Sequence, residues 1–231
     1  MNYEQARFNM IEQQIRPWEV LDTHVLSLLA VIKREDFVPA AHRALAFVDM
    51  EIPLTSELAA HPDQCMLAPK VEARILQDLG VQKHEKVLEI GTGSGYMAAL
   101  LAHRGQQVIS IEVDAPLAEI ARSNLQKAGI HNAEVRTGDG AANLAKAVSS
   151  GDPLSGPFDV IVLSGSVAAV PQALLAMLKP GGRLSAIVGF EPVMRATLIT
   201  RVAEDAWRTV QAWDTVAPRL LNFPEPSSFI F

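Results

Sequence analysis

Hydrophobic and polar positions follow two periods between Lys86 and Val188. Short apolar runs alternate with segments whose apolar residues recur at helical spacing, and turns rich in glycine or aspartate separate them. The predicted strands are Lys86–Ile90, Gln107–Ile111, Glu134–Arg136, Val160–Leu163 and Arg183–Val188, and the predicted helices between them begin near Gly95, Pro116, Gly140 and Val170. This alternation predicts an α/β fold with a doubly wound parallel sheet.

The pattern changes after Val188. Thr197–Val202 and Thr209–Val216 alternate with period two, which predicts two antiparallel strands and brings the expected sheet to seven. The longest predicted irregular stretch is Val148–Pro157, which is rich in serine, glycine and proline.

Helical spacing dominates the first 80 residues. Three helices are predicted: one over Glu4–Ile15 that stops before Pro17, one capped by Asp22 or Thr23 that reaches about Ile32, and one that begins at Pro69 and is closed by Gly80. Between the second and third helices we expect a polar connector at Arg34–Pro39, a helical turn or two within Ala40–Phe47, and a loop over Leu54–Cys65. We therefore expect an N-terminal helical extension with a loop over residues 1–80, and an α/β part over residues 81–231. The two are expected to form one structural unit.

Composition and charge narrow the class of protein. A chain of 231 residues, 49% of them hydrophobic, can bury a core without metals or disulfides. Its net charge of −6 and its scattered basic residues disfavour nucleic acid as a partner. The single cysteine, Cys65, suits a reducing cytosol, and no apolar run is long enough for a membrane span. We expect a cytoplasmic protein that binds neither membrane nor metal, since metal-ligand spacings such as HExxH are missing from the sequence.

Three glycines at alternate positions follow the first predicted strand of the α/β part. Gly91, Gly93 and Gly95 let the chain turn sharply and let a ligand approach the bare backbone. The helix that begins at Gly95 offers unpaired N–H groups to an anion. A turn of this type is common to enzymes that use nicotinamide, flavin and methyl-donor cofactors.

Carboxylates at consecutive strand ends favour a methyl donor. Glu89 precedes the glycine turn, where it would repel a pyrophosphate but attract the ammonium and sulfonium groups of S-adenosylmethionine. Glu112, at the end of the next strand, is predicted to accept hydrogen bonds from both ribose hydroxyls, and Asp139 is predicted to meet the adenine. The predicted cofactor-binding residues are Glu89, Gly91, Thr92, Gly93, Ser94, Gly95, Glu112, Asp139 and Gly140.

Each of these carboxylates also has a purely structural interpretation. Glu89 could cap a helix or pair with Lys86, Glu112 could be a solvated strand end, and Asp139 could be a turn aspartate. Their order on consecutive strands favours the cofactor interpretation. Cys65 is interpreted as an inert thiol, because the sequence assigns it no basic partner.

Several segments resemble the protein-L-isoaspartate O-methyltransferase family. Val87–Tyr96 resembles its motif I and Leu178–Leu184 its later Gly-Gly turn, while Asn9–Ile15, Arg34–Pro39 and Ile52–Leu54 resemble N-terminal signatures specific to the family. The similarity extends to about Val188. It implies a Rossmann-like fold, S-adenosylmethionine as cofactor with S-adenosylhomocysteine as product, and esterification of the α-carboxyl of an isoaspartyl residue during protein repair.

The loop before Pro69 departs from that family. Family members usually carry Gln-Thr-Ile-Ser-x-Pro, whose serine is linked to catalysis, whereas this chain has Gln64-Cys65-Met66-Leu67-Ala68-Pro69. Leu67 therefore stands at the serine position, and no catalytic residue is assigned. The tryptophan common after the Gly-Asp-Gly turn and the glutamine usual between Gly189 and Leu198 are also missing from their places.

The reaction tolerates this departure, because a carboxylate is already ionised and attacks a methyl group when the two are aligned in line. The leading hypothesis is an O-methyltransferase that acts on a carboxylate-bearing peptide or protein. Two alternatives stay open: a methyltransferase for a small-molecule acceptor, with Leu54–Ala68 shaping a more apolar pocket, and a non-catalytic cofactor-binding protein. A nicotinamide-dependent dehydrogenase is the most distant alternative.

Overall fold

The computed structural model describes residues 2–55, 63–142 and 156–225. Its α-helices are α1 (Tyr3–Met10), α2 (Thr23–Val31), α3 (Pro69–Leu79), α4 (Tyr96–Arg104), α5 (Ala115–Lys127) and α6 (Gln172–Ala176). Its strands are β1 (Ile52–Pro53), β2 (Cys65–Met66), β3 (Lys86–Ile90), β4 (Gln107–Glu112), β5 (Ala133–Thr137), β6 (Phe158–Val167), β7 (Leu178–Phe190), β8 (Val193–Ala203) and β9 (Ala206–Thr215).

The main sheet confirms the predicted architecture. Its seven strands lie in the order β5-β4-β3-β6-β7-β8-β9, with parallel pairing from β5 to β7 and antiparallel pairing at β8 and β9. The chain runs outward from β3 to β5 and then returns to β6 beside β3. The crevice outside the carboxyl ends of β3 and β6 is therefore the topological switch point, where ligands bind in sheets of this kind.

All seven predicted strands are present, but β6, β7 and β8 are longer than predicted. The apolar pattern of β6 ends at Leu163, whereas the strand continues to Val167 through a register shift between Val162 and Ser166. This extension carries Ser164 and Gly165 to the switch point. Residues 140–142 are helical, in agreement with the helix predicted to begin near Gly140.

The helices of the N-terminal part are confirmed, with one addition. Asp22 caps α2, and α3 begins at Pro69 and is closed by Gly80 in the left-handed region, at a φ of +55°. The helix predicted over Glu4–Ile15 is α1 with a π-helical turn over Ile11–Ile15, and it ends before Pro17 as predicted, but an unpredicted 3-10 turn over Arg16–Trp18 follows directly. Proline fits the first positions of a new helical turn, where its missing N–H is not needed.

The predicted polar connector after α2 is a 3-10 turn over Arg34–Asp36, and two of its three charged residues are not solvated. Arg34 and Glu35 are both buried. Arg34 is paired with Glu72 of α3, and Glu35 with Arg7 of α1. Charged side chains are rarely buried unless they are paired in this way. The predicted helical turn in Ala40–Phe47 is a 3-10 helix over Ala40–Leu45.

The two faces of the sheet carry separate apolar clusters. Val87 packs with Met10, Leu29 and Leu100, so one cluster joins residues from both sides of residue 80. Leu88 points to the opposite face and packs in the other cluster, which includes Phe223 near the end of the described chain. The boundary near residue 80 stays a prediction.

Some predictions fall on residues that are not described. The irregular stretch Val148–Pro157 lies outside the described residues except for Gly156 and Pro157. Most of the predicted loop over Leu54–Cys65 does so too, although its end is strand β2, which pairs antiparallel with β1. Within the described ranges, no helix is long and apolar enough to cross a membrane.

Candidate active site

A cavity of about 200 Å³ opens at the switch point. We call it the main cavity. It is bounded by the glycine turn after β3, the ends of β4 and β6, the β1–β2 pair and the segment after β9. Its wall includes Leu54, Leu67, Gly91, Gly93, Glu112, Asp114, Gly140, Ser164, Gly165, Arg219 and Leu220.

A smaller space of about 20 Å³ lies behind the glycine turn. We call it the recess, and it has room for about one water molecule. Its wall includes Glu72, Glu89, Thr92, Ser94 and Tyr96. Cys65, Leu67, Gly91, Gly93 and Ser164 line both the recess and the main cavity, so the two spaces are neighbours.

The glycine turn has the backbone that its sequence predicts. Gly91 and Gly93 have φ values of +92° and +53°, which favour glycine. A Cβ at Gly91 would lie 2.8 Å from Leu220 Cδ2, so the bare backbone lets the Leu220 side chain approach. Gly95 lines neither space, and a Cβ there would lie 3.3 Å from Ala121. Its role in the structure is the close packing of α4 against α5.

Glu112 lies where the sequence places it, at the end of β4 on the wall of the main cavity. Its Oε2 accepts a hydrogen bond from the Gly93 N–H at 2.8 Å, and its Oε1 accepts one from the Asp114 N–H at 3.1 Å. Burial raises its pKa, and these backbone N–H groups oppose that rise. The two bonds fix the carboxyl group in orientation against the glycine turn.

Glu89 lines the recess and not the main cavity. Its side chain is completely buried, and its two oxygens accept hydrogen bonds from Ser110 Oγ at 2.6 Å and Ser164 Oγ at 2.8 Å. Burial raises the pKa of Glu89 to about 8, although both hydroxyls favour the ionised form. The described surroundings of Glu89 therefore favour its neutral, protonated form, because none of the groups that shift its pKa is a cation.

Thr92 and Ser94 belong to the recess. Thr92 Oγ1 lies 2.5 Å from Ser110 Oγ, so hydroxyl groups connect the glycine turn to Glu89. Ser94 is buried, and its carbonyl accepts a hydrogen bond from Asn124 of α5. Both contacts hold the turn in place.

Asp139 has a structural role in this arrangement. Its Oδ1 accepts hydrogen bonds from the Ala141 and Ala142 N–H groups, and its Oδ2 accepts one from Asn222 Nδ2 at 2.8 Å. Asp139 thus caps the helical residues 140–142 and anchors the segment after β9. It is Gly140 that lines the main cavity, where a Cβ would lie 2.5 Å from Ile90 Cγ2.

Leu67 lines both the main cavity and the recess, and its backbone is fixed from behind. Its carbonyl accepts a hydrogen bond from Arg34 Nη2 at 2.8 Å. Arg34 also pairs with Glu72, and burial raises the pKa of Glu72 to about 7 despite that partner. The Tyr96 hydroxyl is buried beside them without a partner among the described residues.

Sequence reasoning did not identify Arg34 and Glu72 as part of the site. A signal was present in α3, because Glu72 lies on the face that also carries Val71 and Ile75 and is buried with them. A carboxylate on an apolar helix face needs a buried cation as partner.

Cys65 faces both spaces as a protonated thiol. Burial raises its pKa, and the neighbouring Glu51 carboxyl, to which it is hydrogen-bonded, raises it further. This environment supports the interpretation of an inert thiol, because a reactive cysteine needs a lowered pKa. Gln64, the preceding residue, donates to Asp114 Oδ2 at 3.1 Å and so ties this loop to the end of β4.

The segment after β9 was missed altogether. Pro218–Leu221 and Phe223 line the main cavity, and Ser166 pairs with this segment in a parallel bridge. The sequence shows no glycine motif or regular period here. Pro218 followed by Leu220 and Leu221 was the available signal, since a proline after a strand often precedes a buried irregular segment.

Comparisons with known proteins identify the family of this chain. The sequence profile of the family "Protein-L-isoaspartate(D-aspartate) O-methyltransferase (PCMT)" matches residues 5–214. A protein-L-isoaspartate O-methyltransferase from Koribacter versatilis is 37% identical over 195 residues, which cover 84% of this chain and 81% of that protein. One from Methanoculleus marisnigri is 38% identical over 183 residues, 79% of this chain and 77% of that protein.

Solved structures share the fold. A protein-L-isoaspartate O-methyltransferase superposes with a TM-score of 0.72 at 24% identity over 91% of this chain and 65% of that chain. A Plasmodium falciparum protein assigned to the same group, in complex with S-adenosyl-L-homocysteine, gives a TM-score of 0.69 at 16% identity over 95% of this chain and 99% of that chain.

These comparisons confirm the resemblance seen in the glycine turn and in the N-terminal signatures. The assignment of individual cofactor-binding residues stays a prediction. The chain belongs to the protein-L-isoaspartate(D-aspartate) O-methyltransferase family and is an S-adenosylmethionine-dependent methyltransferase.

Proposed function

We propose that this chain methylates a carboxylate carried by a peptide or protein, with an isoaspartyl residue as the first acceptor to test. The proposal goes beyond family membership, because the loop serine is replaced by Leu67. Three features of the molecule support it: the fit of the cofactor, the ionisation of the groups around the main cavity, and the space for a polypeptide.

The wall of the main cavity suits S-adenosylmethionine. The turn at Gly91 and Gly93 lines the main cavity, with Leu220 and Leu54 against these glycines. The fixed Glu112 carboxyl beside it suits a pair of ribose hydroxyls. Gly140 lines the same cavity and packs closely on Ile90, where a larger residue would not fit. Glu89, behind the turn, would balance the positive charge of the donor. When bound, the cofactor supplies an electrophilic methyl group on a sulfonium.

The protonation states of the side chains that line the main cavity favour a carboxylate as the methyl acceptor. The oxygens of Glu112 and Asp114 already accept hydrogen bonds, from backbone N–H groups and from Gln64. The Cys65 thiol is held protonated by its raised pKa. These groups are poorly placed to take a proton from an amine or alcohol. A carboxylate needs no deprotonation, so alignment with the methyl group is the main contribution that the protein makes.

A second cleft favours a polypeptide as the carrier of that carboxylate. It measures about 740 Å³ and is separated from the main cavity by the hydrogen-bonded pair Cys65 and Glu51. Four exposed apolar residues surround it: Trp18, Met50, Val193 and Val216. Exposed apolar patches of this type are typical of interaction sites. Residues flanking the acceptor could pack there while the carboxylate reaches the main cavity.

A labelled-methyl assay tests the proposal. We expect transfer to a short peptide with one isoaspartyl residue and none above background to the same sequence with a normal aspartyl residue. Stabilisation by S-adenosylhomocysteine in a thermal-shift assay first establishes that the cofactor binds. Binding without transfer to any carboxylate peptide defeats the proposal and favours the small-molecule alternative, which the apolar side chains of Leu54, Leu67 and Leu220 would suit.

We also infer a cytoplasmic location and no nucleic-acid partner. The single free cysteine supports the first inference, and the acidic net charge of −6 supports the second. Fractionation of the native host, with detection of the chain in the cytosolic fraction, tests the location.

A further inference from the structure

The segment after β9 forms the wall of the main cavity nearest to the glycine turn. The Ser166 N–H donates to the Pro218 carbonyl at 2.7 Å, and the Leu220 N–H donates to the Ser166 carbonyl at 2.9 Å. Leu220 packs against the bare backbone of both Gly91 and Gly165. Because these two glycines belong to adjacent strand ends at the switch point, residue 219 is fixed on the wall of the main cavity at that point.

Several contacts fix the side chain of Arg219, but they do not satisfy all of its N–H groups. Its Nη2 donates to the Gly189 carbonyl at 2.9 Å, its Nε lies 3.1 Å from Glu225 Oε1, and its guanidinium lies 5.0 Å from the centre of the Phe190 ring. Its Nη1 is buried and has no hydrogen-bond partner among the described residues. A buried donor without an acceptor is costly unless a ligand completes it.

The charges of the cavity wall make this arginine distinctive. Asp63, Glu112 and Asp114 line the main cavity, and Arg219 is the one cationic residue on its described wall. A carboxylate that entered the cavity would be repelled by the three acids. A guanidinium attracts it and offers a charge-assisted hydrogen bond.

We infer that Arg219 recognises the carboxylate of the methyl acceptor through its free Nη1. This inference rests on the proposed function, since it assumes an anionic acceptor. One carboxylate oxygen accepts the hydrogen bond from Nη1, and the other attacks the methyl carbon. The new O–C bond forms as the C–S bond breaks, the sulfur keeps the electron pair of that bond, and no proton is transferred.

Arg219 acts on binding more than on the chemical step, because the negative charge of the carboxylate is complete in the ground state and decreases as the ester forms. Replacement of Arg219 by alanine is expected to raise KM for an isoaspartyl peptide by about tenfold to a hundredfold, the loss of one charge-assisted hydrogen bond, with a small change in kcat. Arg219→Lys keeps the charge but loses the fork, so we expect an intermediate KM.

Controls separate recognition from a structural role. Arg208→Ala removes an exposed arginine of β9 that lines neither the main cavity nor the second cleft, and it should leave KM unchanged. The affinity of Arg219→Ala for S-adenosylmethionine, measured by calorimetry, should differ from that of the unmodified protein by less than about twofold, much less than the tenfold change in Kd that corresponds to about 1.4 kcal/mol. An unchanged peptide KM, or an equal loss of cofactor affinity, overturns the assignment.

A binding measurement distinguishes the failure of this inference from the failure of the proposed function. Calorimetry of the isoaspartyl peptide against protein saturated with S-adenosylhomocysteine needs no turnover. Peptide binding that depends on Arg219, without methyl transfer by the unmodified protein, defeats the proposed function and leaves the recognition role standing. Methyl transfer with peptide binding that does not depend on Arg219 defeats the recognition role and leaves the proposed function standing. If neither the unmodified protein nor Arg219→Ala binds the peptide, both are defeated.

Discussion

The cofactor side and the acceptor side of the main cavity are built in different ways. The cofactor side comes from the continuous run β3-turn-α4-β4, and its orientation depends on hydrogen bonds between backbone and buried side chains, such as Gly93 N–H to Glu112. The acceptor side is assembled from three distant segments: the β1–β2 pair, the end of β6 and the segment after β9. Its wall is largely apolar, with Leu54, Leu67 and Leu220.

This difference shows how one protein can keep its cofactor while its acceptor changes. A substitution on the cofactor side disturbs a network in which each group satisfies another, and such networks are lost as a unit. Side chains on the acceptor side meet through apolar contact, which tolerates exchange when volume is kept. The replacement at Leu67 is on the tolerant side. The predictions below test whether the two sides are separable to this extent.

Replacement of Glu112 by alanine should have the largest effect. It removes the acceptor for two backbone N–H groups and the carboxyl predicted to hold the ribose, so we expect S-adenosylmethionine to bind more than about tenfold more weakly. Calorimetry is the measurement. Glu119→Ala is the matched control, because that carboxylate on α5 is 75% exposed and should leave affinity unchanged. Unchanged affinity in Glu112→Ala would remove Glu112 from the cofactor site.

The same division explains what could be predicted from the sequence. The strand, the glycine turn and Glu112 are local: hydrophobic period, turn chemistry and the end of the next strand fix them within about 25 residues, the span of one strand-helix-strand unit. Asp139 was placed at the correct strand end, but its carboxyl caps a helix and binds Asn222. A side chain's partner depends on which distant segment arrives beside it.

Three residues in or near the site illustrate this limit. Arg34 and Glu72 are 38 positions apart and meet only when the N-terminal turn packs against α3. Arg219 reaches the cavity because its segment pairs with Ser166 at the end of β6. Their charges suggested solvent exposure. Burial of such charges depends on tertiary partners, which a periodic pattern along one segment does not contain.

A change of pH should have the next largest effect on cofactor affinity. In the unliganded protein the pKa of Glu89 is raised to about 8, and Glu112 and Glu72 face it without a free cation among the described residues. Arrival of a cationic donor favours the ionised form, so binding releases a proton. We expect affinity for S-adenosylmethionine to rise by up to about tenfold per pH unit between pH 6 and 8 and then level off. S-adenosylhomocysteine, which lacks the sulfonium charge, should show a shallower slope.

With rising pH, the free energy of unfolding should change in the opposite direction to cofactor affinity. The folded protein retains a proton on Glu89 that the unfolded chain releases above the ordinary pKa of 4.5. The free energy of unfolding of the unliganded protein should therefore fall as pH rises from that value toward about 8. Glu89→Gln should flatten both profiles. An unaltered affinity slope in that variant would assign the released proton to another group, with Glu72 the first candidate.

Leu67→Ser tests the acceptor side at the point where the chain departs from its family. Arg34 fixes the backbone at residue 67, so a serine hydroxyl would lie on the wall shared by the main cavity and the recess. We expect kcat for an isoaspartyl peptide to rise about threefold, the value of one neutral hydrogen bond. Leu67→Ala loses the same packing without the hydroxyl, and both variants should unfold at lower temperature because Leu67 is buried. An equal kcat in the two variants would show that the hydroxyl adds nothing here.

The smallest effect is expected at the second cleft, and it tests how far the acceptor side extends. Trp18 is 50% exposed, with Lys70 Nζ 3.9 Å above its ring, so its truncation removes contact area without opening the core. We expect Trp18→Ala to raise KM for an isoaspartyl hexapeptide about threefold and to leave KM for an isoaspartyl dipeptide unchanged, since the dipeptide is too short to reach past Cys65 and Glu51. Phe8→Ala removes a ring that is 59% exposed and lies outside the cleft, and serves as the control. An equal loss for both peptides would place the effect of Trp18 in the main cavity, and no loss for either would confine acceptor recognition to the wall that Leu67 and Arg219 share.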